Sequence, residues 1–82
     1  MDYIYEIVNF LIYLKITIPN DDYIDLNLID IGMDSIKFVQ LILLLEQSLN
    51  FEYPDEKLLI NESNTIRKIS QTITETKSVA IG

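Results

Sequence analysis

Ser35 is the side chain of this sequence best placed to do chemistry, and its neighbours limit what that chemistry can be. It stands in Asp30-Ile31-Gly32-Met33-Asp34-Ser35-Ile36, just ahead of the long apolar run from Lys37 to Leu49. A serine hydroxyl is a weak nucleophile until a base activates it, and the chain has no histidine for that role and no cysteine to replace it. Asp30 and Asp34 read as a loop carboxylate and a helix-cap carboxylate, and Lys37 is too generic a neighbour to count as a base. No catalytic residue is therefore assigned. Asp25, Asn27 and Asp30 have the spacing of a calcium loop, but Asp30 fills the slot that needs glycine and Ile36 the slot of the bidentate glutamate, so no metal ligands are assigned either. Two readings of Ser35 remain open at this level. An Asp-Ser pair before a helix is most simply a cap, and a first-turn hydroxyl facing solvent is also a place to attach something.

Composition narrows the setting. With 82 residues the chain has material for one small domain, and 49% hydrophobic residues with only two glycines and two prolines argue for packed helices. Six basic against thirteen acidic side chains give a net charge of -7, which would repel phosphate backbones and anionic membranes. The apolar run Ile7 to Ile18 follows Asp2 and Glu6 rather than a basic segment, is interrupted by Asn9 and Lys15, and falls short of the roughly 18 to 20 residues of a span. A cytoplasmic monomer is expected, with neither nucleic acid nor membrane as a partner.

The elements that must position Ser35 can be read in order. Ile4, Ile7, Val8, Leu11 and Leu14 recur at helical spacing between Asp2 and about Lys15, with Glu6, Asn9 and Tyr13 on a narrow opposite stripe. This predicts a largely buried first helix, N-capped by Asp2 and stopped by Thr17, Ile18 and Pro19. From Tyr23 to Asp34 the pattern is irregular. A connection of about 15 residues is long for a bundle, so Ile24, Leu26, Leu28, Ile29 and Ile31 are expected to pack as an ordered loop.

The second helix is predicted from Ser35 to about Leu49, with Phe38, Leu41, Ile42, Leu45 and Leu49 on one face. Burying these five at ~1.5 to 3 kcal/mol each is an upper estimate of their contribution, and still a large part of a small core. Ile36, Val39 and Leu43 form a second stripe beside Gln40 and Gln47. Either the long loop or the short third helix covers it, or it is a docking surface. Pro54 ends this region, Glu56 to Ile60 reads as a short helical turn, and Ser63 or Asn64 is expected to cap a last helix carrying Ile66, Ile69 and Ile73. Residues 76–82 lack periodicity and read as a flexible tail after a domain of residues 1–75. The fold expected is an all-α, small four-helix bundle of three longer helices and one short one, with a long ordered loop after the first helix.

The stretch Gly32-Met33-Asp34-Ser35-Ile36, with Leu41, Leu45 and Glu46 beyond it, resembles the attachment signature of acyl and peptidyl carrier proteins. Tyr53-Pro54 and the closing Thr65-Ile66 helix extend the likeness over nearly the whole chain, although only the junction is specific. The resemblance implies 4'-phosphopantetheine covalently attached to Ser35, with Asp34 and Gly32 shaping the site and Ile36, Val39 and Leu43 facing partners. It implies a phosphopantetheinyl transferase, an adenylating or acyl-loading enzyme, and downstream condensing or tailoring enzymes as partners, and no chemistry of the chain's own. Fatty-acid carriers place several acids along the second helix, whereas here Glu46 is its one carboxylate after the junction. That departure, with a stand-alone length beginning at Met1, suggests a discrete carrier of nonribosomal peptide or hybrid polyketide assembly. The alternatives are a fatty-acid-type carrier and an unmodified acidic adaptor that binds a partner through the apolar stripe.

Overall fold

The computed structural model describes residues 3–19 and 22–79. Three helices form the frame: α1 (Ile4–Tyr13), α2 (Ser35–Leu49) and α3 (Ile66–Val79), joined by 3-10 turns at Leu28–Ile31, Asp55–Lys57 and Ile60–Glu62. No strand occurs among the described residues, and no helix of these residues is long and apolar enough to cross a membrane. The all-helical class is as expected, but the short helix expected at Glu56 to Ile60 is split into two single turns. The Lys57 carbonyl, which would accept the next backbone N–H of a continuous helix, instead accepts the Ser63 hydroxyl at 3.1 Å.

α1 packs against both α2 and α3. Ile7 and Leu11 are fully buried, with Ile4, Val8 and Leu14 packed partly against the core. The helix stops at Tyr13, before the expected Lys15, because the chain reverses through a left-handed Lys15 at φ 70°. There the Lys15 N–H donates to the Ile12 carbonyl and the Ile16 N–H to the Leu11 carbonyl, both at 3.0 Å, the two bonds of a Schellman ending. Ile16, buried behind the turn, supplies the apolar contact that usually accompanies it. Asp2, the expected N-cap, lies outside the described residues. The outward stripe of α1 is wider than its polar residues suggested, since Tyr5, Asn9, Ile12 and Tyr13 are all exposed.

On α2 the predicted core face holds. Phe38, Leu41, Ile42 and Leu45 are buried and Leu49 is packed partly against them. The helix ends at Asn50 in left-handed geometry, and the Lys77 ammonium donates to the Leu49 carbonyl at 2.8 Å, placing a cation at the negative end of the helix dipole. Ile66, Ile69 and Ile73 bring α3 into the same core. Its cap is Thr65 rather than Ser63 or Asn64: the Thr65 hydroxyl accepts from the Lys68 N–H at 3.1 Å. Ser63 is unavailable because it is buried against Tyr53, at 2.8 Å between hydroxyl oxygens. α3 continues through Val79, past the Thr76 at which apolar periodicity ends. Residues 80–82 of the expected tail lie outside the described residues.

Candidate functional site

Two buried side chains hold the segment that delivers Ser35. Asn27 opens the first 3-10 turn by accepting the Ile29 N–H on its side-chain oxygen at 3.0 Å. Leu28, fully buried, donates its N–H to the Asn64 carbonyl at 2.8 Å and accepts the Met33 N–H at 3.0 Å. Met33 is buried as well. With Leu28 and Met33 inserted in the core, the residues between them must loop outward and return within a few residues. Gly32 makes that return at φ 112° and ψ 2°, where a side chain is strained whatever the space around it. A Cβ built there would meet nothing within 4 Å. Glycine is therefore needed for backbone conformation and not for clearance.

Asp34 follows in extended geometry and caps α2, its Oδ1 accepting the Lys37 N–H at 2.8 Å. Ser35 is thus the first residue of α2, exposed to solvent. The amide groups of a helix's first turn point outward unpaired, and the dipole favours negative charge there by ~0.3 to 1 kcal/mol at an exposed site. A phosphodiester on the Ser35 oxygen fits this position, since Ser35 is exposed and the neighbouring Asp34 carboxylate has one oxygen turned to its own helix. Asp30 is exposed on the outward turn.

The loop is tied to α3 on its other side. The Ile24 carbonyl accepts the Arg67 N–H at 3.1 Å, and the Arg67 guanidinium grips Asp25 through two bonds, at 2.6 and 3.2 Å. The hydrogen bond to Arg67 holds the Asp25 carboxyl below the usual carboxylate range and, reciprocally, raises Arg67. Both partners are more than half exposed, so solvent screens the pair and the backbone bonds do most of the holding. Asp25, considered above only for a calcium loop, is an anchor for the loop.

The apolar stripe of α2 is uncovered. Ile36, Val39 and Leu43 are 72%, 49% and 52% exposed, so neither the long loop nor the turns that stand in place of the short third helix enclose them. Ile36 follows Ser35 directly, and the stripe runs from the site along one side of the helix. An open groove of about 1250 Å³ lies elsewhere: Glu46, Phe51, Thr72 and Lys77 help to line it, near the opposite end of α2 from Ser35.

Three of the other serines stand in different surroundings. Ser63 and Ser70 are buried, and the Ser70 hydroxyl accepts the Tyr3 N–H at 3.2 Å. Ser48 is exposed in the last turn of α2, where the dipole disfavours an added anion. Of the anchors Leu28 and Met33, the sequence points to Leu28 only as one of several apolar loop residues expected to pack, and to Met33 not at all. They lie five residues apart, on neither a helical nor a strand period, although Asn27 ahead of two apolar residues is an ordinary cap signal.

The family model described as phosphopantetheine attachment site matches residues 13–73. That segment contains the loop, the Gly32–Ser35 junction, all of α2 and the first half of α3. No curated protein and no solved structure matches the chain.

Proposed function

This chain belongs to the phosphopantetheine attachment site family, and from that premise we propose that Ser35 carries the arm and that the protein is a carrier of aminoacyl or peptidyl groups in nonribosomal peptide or hybrid polyketide assembly. Members of the family bear 4'-phosphopantetheine covalently on a serine. The observation that carries the choice of Ser35 is its position: an exposed hydroxyl at the first residue of α2, behind a cap supplied by Asp34. When attached, the arm supplies a terminal thiol on which carried groups are held as thioesters.

In the attachment reaction the Ser35 oxygen replaces adenosine bisphosphate on the pantetheine phosphate of coenzyme A. The hydroxyl proton goes to a base of the transferase, since the chain has no histidine. Asp34 keeps the first turn of α2 formed, Gly32 lets the chain reach it, and Ile36, Val39 and Leu43 offer the partner enzymes an apolar surface beside the arm. The cysteine-free sequence leaves the arm's thiol as the one thiol of the modified protein, which gives loading enzymes a single attachment point.

Incubation with coenzyme A and a broad-specificity transferase, followed by intact mass measurement, tests the assignment. The wild type should gain one phosphopantetheinyl group and Ser35→Ala none. A modified Ser35→Ala protein would overturn it.

A further inference from the structure

We propose that the outward face of α1 pairs with the same face of a second copy, giving a weak antiparallel dimer. The face holds Tyr5, Asn9, Ile12 and Tyr13, and its large side chains are 76%, 56% and 70% exposed at Tyr5, Ile12 and Tyr13. Most of it precedes the segment that the family model matches, which begins at Tyr13. It belongs to this chain rather than to the features that define the attachment site.

Its pattern is self-complementary. Tyr5 and Tyr13 each lie four residues from Asn9, which is about 6 Å along the axis and some 40° to either side of it. A two-fold axis through the interface at Asn9, perpendicular to two antiparallel helices, sets Tyr5 of one copy beside Tyr13 of the other at the same height. It also brings Ile12 against the second copy's Tyr5 and faces the two Asn9 amides, each able to donate to the other. An isologous contact needs this property, that one patch complements itself under rotation.

Charge favours the same approach. Residues 3–19 contain one acid, Glu6, and one base, Lys15, so this stretch is neutral and the net charge of -7 arises elsewhere in the chain. Two copies that meet through α1 keep their acidic surfaces apart, and at distances beyond a Debye length of ~8 Å those charges are screened. The area is modest. Partly exposed tyrosines and an isoleucine, with Asn9 and the flanking groups, give roughly 1,000 Å² over both copies, the range of transient rather than permanent complexes. The monomer expected from the sequence is then the dilute state.

The absence of cysteine makes a direct test possible. In Asn9→Cys the new thiol sits on the proposed axis, while in Gln40→Cys it sits on exposed α2 away from it. Under mild oxidation Asn9→Cys should form the disulfide dimer roughly tenfold faster than Gln40→Cys, because pairing raises the local thiol concentration. Adding Tyr13→Asp should abolish that advantage, with circular dichroism confirming that the helices persist. Sedimentation of the wild type should show molar mass rising between about 10 μM and about 1 mM. Equal oxidation rates with a monomer throughout would overturn the proposal and leave the face to a different protein. Faster cross-linking through Gln40→Cys would overturn it too, and would assign self-association to the α2 stripe.

Discussion

At the scale of single residues, Gly32 and Tyr53 make claims that can be measured. Since a side chain at Gly32 would meet open space and yet sit at φ 112°, Gly32→Ala should cost on the order of 1 to 2 kcal/mol, read from denaturant melts, and should slow modification of Ser35 by displacing the junction. Tyr53 is buried, and loss of hydration pushes its phenol up, against a smaller opposing effect of the Ser63 hydrogen bond. A group whose folded pKa is raised keeps its contribution to stability below its unfolded value, about 10, and loses it as pH climbs through the folded value. Melts of the wild type should therefore weaken above pH ~10 more steeply than those of Tyr53→Phe, and equal slopes would show that the hydroxyl is not shielded as described. Below that range Tyr53→Phe should cost about 1 kcal/mol for the lost bond to Ser63. Ser35, Asp34 and Gly32 were legible as residues because capping and positive φ are local properties. The bond from Tyr53 to Ser63 was not, since ten positions of sequence separate them and no spacing rule links them.

At the scale of elements, α2 separates stability from function by face. Leu45→Ala should cost ~2 to 5 kcal/mol by opening a cavity in the core, whereas Ser35→Ala should leave stability within ~0.5 kcal/mol because the cap belongs to Asp34. Asp34→Ala should fall between, at ~0.5 to 2 kcal/mol. Equal losses for Leu45→Ala and Ser35→Ala in denaturant melts would mean that the faces are misassigned. The helix itself was legible nearly to the residue, since Asp34 begins it and its apolar period is strong. The ends of the other two helices were less so. α1 closes at Lys15, a residue with no special preference for left-handed geometry, because Ile16 gains burial behind it. The cap of α3 passes to Thr65 because tertiary packing takes Ser63 into the core.

At the scale of the whole molecule, the exposed stripe Ile36, Val39 and Leu43 lies beside the arm's proposed site while α2 carries Glu46 as its one carboxylate after the junction, half-buried with one oxygen bonded to the Tyr53 N–H. A cognate loading enzyme that docks there by apolar contact should load the carrier at a rate that falls only weakly from low to physiological salt. Val39→Asp or Leu43→Asp should slow loading, and Lys37→Ala should change it little. Steep suppression by salt, with normal loading of the aspartate variants, would favour a charge-steered carrier of the fatty-acid type. What the sequence by itself determined was the helical class, the core face of α2 and the family resemblance at the junction, all of which rest on period and on residues adjacent in the chain. It left open whether the second stripe of α2 was covered, and it understated the outward face of α1. Those depended on which sides of each helix the others occupy. α1 meets α2 and α3 from one side, and the loop spends Leu28 and Met33 on anchoring the junction, so no element among the described residues covers either face. That allocation is a property of packing in three dimensions, and no local pattern encodes it.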